Sequence, residues 1–360
     1  MKILFLEPFF GGSHRDFSLG FVRHSCHDVD LVTLPAQFWK WRMQGASLYF
    51  IRQIKNLSQY DLIFITDMMD ICDFKALAGR NLPPVVMYFH ENQLSYPLGS
   101  HGKKDTHLGF TNILSALASD MVLFNSNYHC RAFLEAAKNL IKQMPDFRPE
   151  WVVDALEKKI QVLYPGCRFS VKSIPIEKKS LDLPLIIWNH RWDYDKNPEE
   201  FFKVLAAVKN KGIGFSLALL GEQYEIIPKV FKTARKEFAE EILVSGYLES
   251  HQEYKSWLAR GSVVISTAIQ ENFGISVMEA VRHGCFPLLP DRLSYPEIMP
   301  EKFHDKVLYK SSTDLEEKLE DFLKDADRGV SVRQELSDYA GRFSWEIMAK
   351  QYDKILEKIK

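Results

Sequence analysis

Short, almost continuously apolar runs recur along the chain at ILFLEP, VDLVTLP, DLIFITD, VVMYFHE, DMVLFNS and KIQVLYPG. Their residues do not alternate between apolar and polar, which is the pattern of strands covered on both faces in a parallel sheet. Helical spacing fills the intervals, as in THLGFTNILSALAS and HCRAFLEAAKNLIKQM. The alternation stops at RFSVKSIPIEKKSLDLP, a polar stretch with two prolines that reads as a boundary between domains. It restarts with PLIIWNH, FSLALLGE, EILVSGYL, SVVISTA and CFPLLPD, and the chain closes on the helical patterns STDLEEKLEDFLKDADR and SWEIMAKQYDKILEKIK. The pattern predicts an α/β protein of two tandem Rossmann-like domains, residues 1–168 and 183–343, joined by a linker over 169–182 and followed by a last helix over 344–360. In such sheets ligands bind beyond the carboxyl ends of the strands, so the residues just after each strand are the candidates for chemistry.

Composition narrows the class. At 46% apolar and 26% charged residues the 360-residue chain is an ordinary globular protein, long enough for two domains. No apolar run approaches the ~20 residues of a membrane span, and Glu7 and Pro8 interrupt the N-terminus too early for a secretory segment. Five scattered cysteines without a C-x-x-C pair suggest neither a disulfide framework nor a zinc site, and a cytoplasmic location is expected. The net charge of −1 does not announce a polyanionic partner; residues 1–170 carry 18 Lys and Arg against 16 Asp and Glu, so such a partner would meet the first half.

Five strand ends stand out. After the first strand, Gly11 and Gly12 allow close backbone approach where a helix is expected to start at Ser13, suiting a phosphate or sugar; a purely steric turn is the alternative. After the second, Trp39, Lys40, Trp41 and Arg42 interleave two indoles with two cations in what reads as a connecting loop. They either stack on nucleic acid bases or cover the core. After the fourth, His90 and Glu91 offer a proton or a hydroxyl contact, or merely cap. Beyond the first strand of the second half, Arg191 and Lys196 precede a helix start near Asn197, a site for a diphosphate unless they pair with Asp193 or Asp195. Then QENFGISVMEAVRHG sets Glu271 in a loop and Glu279 two turns into a helix, with the amides of Asn272, Phe273 and Gly274 between them. Carboxylates accept hydrogen bonds from vicinal diols, so one Glu for a hexose and one for a ribose is sensible chemistry; the alternative is two ordinary acidic residues favoured by the helix dipole.

These features together resemble the retaining glycosyltransferases of the GT-B fold, in the large group called family four: GGSH, FHE, R-x4-K at Arg191 and Lys196, and E-x7-E at Glu271 and Glu279. LEPFFGGSH, LPAQFWKWR with ASLYF, YFHENQLSYP and FNSNYHCRAFLEAAKNLIKQMPDFRPE further resemble the first domain of tRNA-queuosine mannosyltransferases, over roughly residues 1–168. The resemblance implies two Rossmann-like domains about a central cleft, a C-terminal helix crossing back to the first domain, GDP-mannose as donor and the queuosine base at the tRNA wobble position as acceptor.

It also implies roles. Arg191 and Lys196 would bind the diphosphate, Glu271 the hexose and Glu279 the ribose. Gly11, Gly12 and the Asn272–Gly274 amides would lie near the diphosphate and sugar, His90 near the scissile bond, and Tyr247 and Leu248 by the nucleotide base. Ser13, His14, Trp39, Lys40, Trp41, Arg42, Glu91, Asn92, Lys103 and Lys104 would form the acceptor side. No metal and no other cofactor is expected, and front-face attack is the expected route to retention. Two rival readings stay open, a same-fold enzyme acting on a lipid or polysaccharide and a non-catalytic binding protein.

Overall fold

A computed structural model of the chain describes residues 1–97, 105–176, 181–222, 228–326 and 329–359. The chain forms two compact units, Met1–Arg168 with Phe343–Lys360, and Phe169–Arg342.

The first unit is a six-stranded parallel sheet of β1 (Lys2–Phe10), β2 (Asp28–Pro35), β3 (Leu62–Thr66), β4 (Val85–Phe89), β5 (Met121–Phe124) and β6 (Ile160–Val162), in the order β2-β1-β3-β4-β5-β6. Its apolar runs are continuous because successive residues serve two cores. Leu4, Leu6, Ile63, Ile65, Met87 and Phe89 face one cluster with Phe50, Phe74 and Phe133. Ile3, Phe5, Phe64, Val86 and Tyr88 face another with Phe17, Phe21, Trp345 and Tyr352. The last helix, Trp345–Leu356, thus completes the core of the first unit. Its Asp353 accepts hydrogen bonds from the Ser25 hydroxyl (2.6 Å) and the Cys26 amide (2.9 Å).

The second unit holds β7 (Leu185–Trp188), β8 (Ser216–Leu220), β9 (Ile242–Gly246), β10 (Val263–Ile265), β11 (Phe286–Pro290) and β12 (Leu308–Tyr309), in the order β12-β11-β10-β7-β8-β9, with every pair parallel. β12 is absent from the sequence reading because two residues make no recognisable run. The polar stretch read as a linker is packed into this unit over its described part. The buried Arg282 donates to the carbonyls of Ser170 and Lys172 on one side and of Ser337 on the other, and the Ile176 amide donates to Gln334.

Each sheet has one place where the strand order reverses. In the first unit β2 and β3 flank β1; in the second β8 and β10 flank β7. Successive crossovers leave in opposite directions there and open a crevice at the carboxyl edge.

Candidate active site

In the second unit the reversal gathers the residues that follow β7 and β10. The Asp195 carbonyl accepts hydrogen bonds from the amides of Ile269 (2.9 Å) and Gln270 (3.3 Å), and the Thr267 hydroxyl donates to the Lys196 and Asn197 carbonyls. The two loops are therefore one construction. Inside it the Lys196 ammonium lies 3.2 Å from Asp195 Oδ2, 3.2 Å from Glu271 Oε2 and 2.9 Å from the Gln270 carbonyl. Arg191 lies 3.4 Å from the same Asp195 oxygen, with its side chain far more exposed. Burial opposes the charge on Lys196, but the Glu271 and Asp195 carboxylates outweigh it and raise its pKa. Burial likewise works against ionised Glu271, and the Lys196 charge, helped by His190, holds its pKa below the usual value. Burial and the same Lys196 charge push His190 down to about 4, so that ring is neutral.

Of the sequence alternatives, the ion pair with an aspartate is the one formed, and its partner is Asp195. Both cations pair with Asp195, which is only 1% exposed. A buried carboxylate under two cations fixes their positions and leaves Arg191 open to solvent. Asp193-Tyr194-Asp195 also spells a D-x-D triplet, a few residues beyond the end of β7. Its carboxylates are engaged, Asp193 capping the Tyr194 amide (2.8 Å) and Asp195 bound as described.

Glu271 precedes the helix Ile275–Arg282, whose N-cap is Gly274 at φ 101°, a backbone conformation that favours glycine. Asn272, Phe273 and Gly274 are buried, and the Ser294 hydroxyl donates to the Phe273 carbonyl (3.0 Å). The helix starts later than the sequence suggests, so Glu279 stands one turn into it and not two; it accepts a hydrogen bond from the Tyr254 phenol (3.0 Å), which accepts one from Asn189 (2.9 Å). Asn189 and Tyr254 were missed because an asparagine and a helical tyrosine carry no spacing signal. Tyr247 is exposed and Leu248 half-buried, just beyond β9.

In the first unit the reversal gathers Gly11 and Gly12 after β1, Asp67 after β3, and His90 and Glu91 after β4. Gly12 sits at φ 48° and opens the helix Gly12–His24, with Ser13 exposed. A side chain at Gly11 would run into Ala36, so that glycine is required sterically. His14 is buried and paired with Glu7 at 3.2 Å. Its ring lies 4.0 Å from that of His90, centroid to centroid. The His90 amide donates to Asp67 (2.8 Å), and its carbonyl accepts from Asn125 (2.9 Å). Burial, with the charge on His14 and then His129, lowers the pKa of His90 well below normal. Glu7, His14 and His90 bring possible ligand atoms within 4.8 Å of one another. The Glu7 oxygens, however, already accept from the Phe9 amide, Thr66, Ser18 and His14, the pattern of a hydrogen-bonded ion pair. Asn92 is buried and its carbonyl oxygen holds its own turn through the Leu94 and Ser95 amides; Glu91 is half-buried and bonded to Gln93. Lys103 and Lys104 lie outside the described residues.

The tryptophan pair corrects the sequence reading. Trp39 to Arg42 are not a loop but the first turn of the helix Trp39–Gln53, entered through Phe38 at φ 53°. Helical spacing buries Met43, Ala46 and Phe50 and turns Lys40, Trp41, Gln44, Leu48 and Tyr49 outward. Trp39 packs half-buried on Met43, Met68 and Leu108, whereas Trp41 is 73% exposed. Lys40 lies 5.5 Å from the Trp39 ring centroid, and Arg42 donates to the Pro35 carbonyl at 3.3 Å. One indole covers the core and the other does not.

Residues 2–167 match the family model of the tRNA-queuosine alpha-mannosyltransferase N-terminal domain, and residues 172–342 that of the glycosyl transferases group 1. The tRNA-queuosine alpha-mannosyltransferase of Drosophila melanogaster is 35% identical over 338 residues, 89% of this chain and 87% of that one. The chain belongs to the tRNA-queuosine alpha-mannosyltransferase family. As a member of it, the chain is a glycosyltransferase, and its fold is GT-B. Sucrose-phosphate synthase from Thermosynechococcus elongatus superposes with a TM-score of 0.76 at 13% identity, covering 99% of both chains. The Anabaena Alr3699/HepE protein in complex with UDP gives 0.71 at 14% identity, covering 99% of this chain and 100% of that one. At such identities these two speak for the fold alone.

Proposed function

We propose that this glycosyltransferase moves mannose from GDP-mannose to the queuosine base at the tRNA wobble position, with retention. The observation that carries the reading is likeness to the Drosophila enzyme through both halves of the chain, including the N-terminal unit, which matches the family model of the tRNA-queuosine alpha-mannosyltransferase N-terminal domain. No helix among the described residues is long and apolar enough to cross a membrane. A tRNA substrate fits a cytoplasmic protein.

In this reading Arg191 and Lys196 hold the donor diphosphate and stabilise charge on the leaving nucleotide. They sit preorganised over Asp195, so little reorganisation accompanies bond breaking. Glu271, ionised beside Lys196, accepts from hexose hydroxyls, and Glu279, held by Tyr254, from the ribose. Asn272 to Gly274 and the Gly11–Gly12 turn frame the sugar and diphosphate, and Tyr247 and Leu248 the base. His90, neutral, is a hydrogen-bond partner for the sugar. The paired cations leave the chemistry without need of a metal. In front-face attack the leaving phosphate takes the acceptor hydroxyl's proton, and no protein nucleophile is required.

The test is transfer to queuosine-containing tRNA from a panel of nucleotide sugars, read by mass spectrometry of the digested nucleosides. GDP-mannose alone is expected to add one hexose mass to queuosine. Glu271→Gln is expected to lower the rate about 100-fold or more. Addition from another donor would correct the sugar, and none from any donor would refute the reading.

Trp41 and its neighbours supply a second test. Trp41→Ala is expected to change stability by less than about 0.5 kcal/mol and to weaken tRNA binding by about 1–3 kcal/mol, the worth of one base stacked on an indole. Trp39→Ala, from the cluster beneath, is expected to lower stability by about 2 kcal/mol. Replacing Lys40 and Arg42 together with Ala is expected to reduce the salt slope of tRNA binding by about two phosphate contacts. Urea titration and filter binding across salt concentrations read all three. Unchanged affinity and slope would leave the acceptor to other surfaces.

A further inference from the structure

Glu7 is a fully buried carboxylate in a strand whose other residues from Ile3 to Phe10 are apolar. It accepts hydrogen bonds from the Phe9 amide (2.9 Å), the Thr66 hydroxyl (3.0 Å) and, more weakly, the Ser18 hydroxyl (3.4 Å), and it meets His14 Nδ1 at 3.2 Å. His14 is in the first turn of the helix Gly12–His24, where the helix dipole disfavours a cation, and it is buried, which disfavours charge again. A packed core gains nothing from a histidine held in this way. The cost is understandable if a cation is needed at the crevice where the strand order reverses.

We propose that Glu7 is a positioning residue that holds His14 as an imidazolium, so that the second ring nitrogen, Nε2, donates a charge-assisted hydrogen bond to a phosphate oxygen of a substrate. The assignment rests on the glycosyl-transfer reading for its substrates, which offer phosphate in two forms, the donor diphosphate and the tRNA backbone. The groups facing His14 agree in sign. Glu7 lies on β1, Asp67 follows β3 and Glu91 follows β4, while His90 lies against His14 as a neutral ring, tilted by 35°, with His129 behind. Burial lowers the affinity of His14 for its proton. The charge and hydrogen bond of Glu7, with Asp67 and Glu91, outweigh burial and push its pKa up to about 9. Asp67 is itself pushed up to about 7, chiefly by burial. Because the folded value of His14 lies above the usual 6.5, the ion pair is complete below pH 6.5 and is lost as pH rises through about 9.

The test uses the full chain labelled in its histidine rings and followed by NMR, the His14 signal being the one absent from His14→Asn. His14 is expected to titrate near 9 in the wild type and to be neutral at about pH 7.5 in Glu7→Gln. Inorganic pyrophosphate and an anticodon-loop oligonucleotide are then added separately. The one that shifts the wild-type His14 signal identifies the phosphate source. In steady state Glu7→Gln is expected to raise the KM of that same substrate by about 10- to 100-fold, with Glu7→Asp recovering part of the loss. The alkaline limb of transfer is expected to move from near 9 to below 7. A neutral wild-type His14, a signal that neither probe shifts, or a Glu7→Gln enzyme with both KM values unchanged would each overturn the proposal. The wild-type titration needs no variant, so it decides even if Glu7→Gln does not fold. Probe binding without any transfer to queuosine would instead overturn the glycosyl-transfer reading and leave the phosphate site standing.

Discussion

Lys196→Met is expected to lower the rate of transfer by about 100- to 1000-fold at saturating donor, the usual effect of removing one preorganised stabiliser of transition-state charge. The ammonium is shared by Asp195, Glu271 and the Gln270 carbonyl, so the change also leaves two carboxylates without their common cation. A loss of about 3 kcal/mol of stability is expected with it. Lys196→Arg is not expected to rescue, because a planar fork cannot point at three acceptors arranged around one ammonium. Arg191→Ala separates the two effects. The side chain is 40% exposed and lies 3.4 Å from one oxygen of Asp195, so donor KM is expected to rise while stability changes by less than about 1 kcal/mol, as for an exposed ion pair. Donor saturation kinetics and urea unfolding on the same preparations test this. Full transfer by Lys196→Met would remove the cation pair from the mechanism.

Trp345→Ala is expected to destabilise the first unit by about 3–5 kcal/mol. The indole is buried 5.3 Å from Phe17 and 5.9 Å from Tyr352, centroid to centroid, and it lies against two glycines. A Cβ at Gly20 would come within 2.0 Å of the ring, and one at Gly166 within 2.1 Å. The backbone on either side was therefore shaped for this side chain. Its loss opens the face formed by Phe17, Phe21 and Tyr88 and releases the last helix, whose Asp353 and Tyr352 reach Ser25, Cys26, Leu163 and Tyr164. Gly166→Val is expected to destabilise as well, by overpacking, by about 1–3 kcal/mol or more. Denaturant unfolding followed by tryptophan-independent circular dichroism measures both. A Trp345→Ala protein within about 1 kcal/mol of the wild type would mean that the last helix is not part of the cooperative core.

The distribution of apolar residues along the chain determined eleven of the twelve strands among the described residues, because most of them are covered on both faces and leave continuous runs that local inspection detects. It also determined that glycines, cations and carboxylates follow those strands. What the tertiary structure decided is which of these residues share a charge. In sequence Asp195 is one of two aspartates that rival a ligand for Arg191 and Lys196, and in the fold it is the buried base on which both rest. Glu7 reads in sequence as an interruption of an apolar segment, yet it meets His14 and Thr66 only because β1 lies beside β3 and the following helix turns back over it. Trp39 and Trp41, equivalent as letters, part company once the helix begins one residue after Phe38 and its period turns one inward and one outward. Periodicity and residue type are local and survive in the sequence. Pairing energies depend on distance and burial, and these exist only after residues far apart in the chain have been packed together.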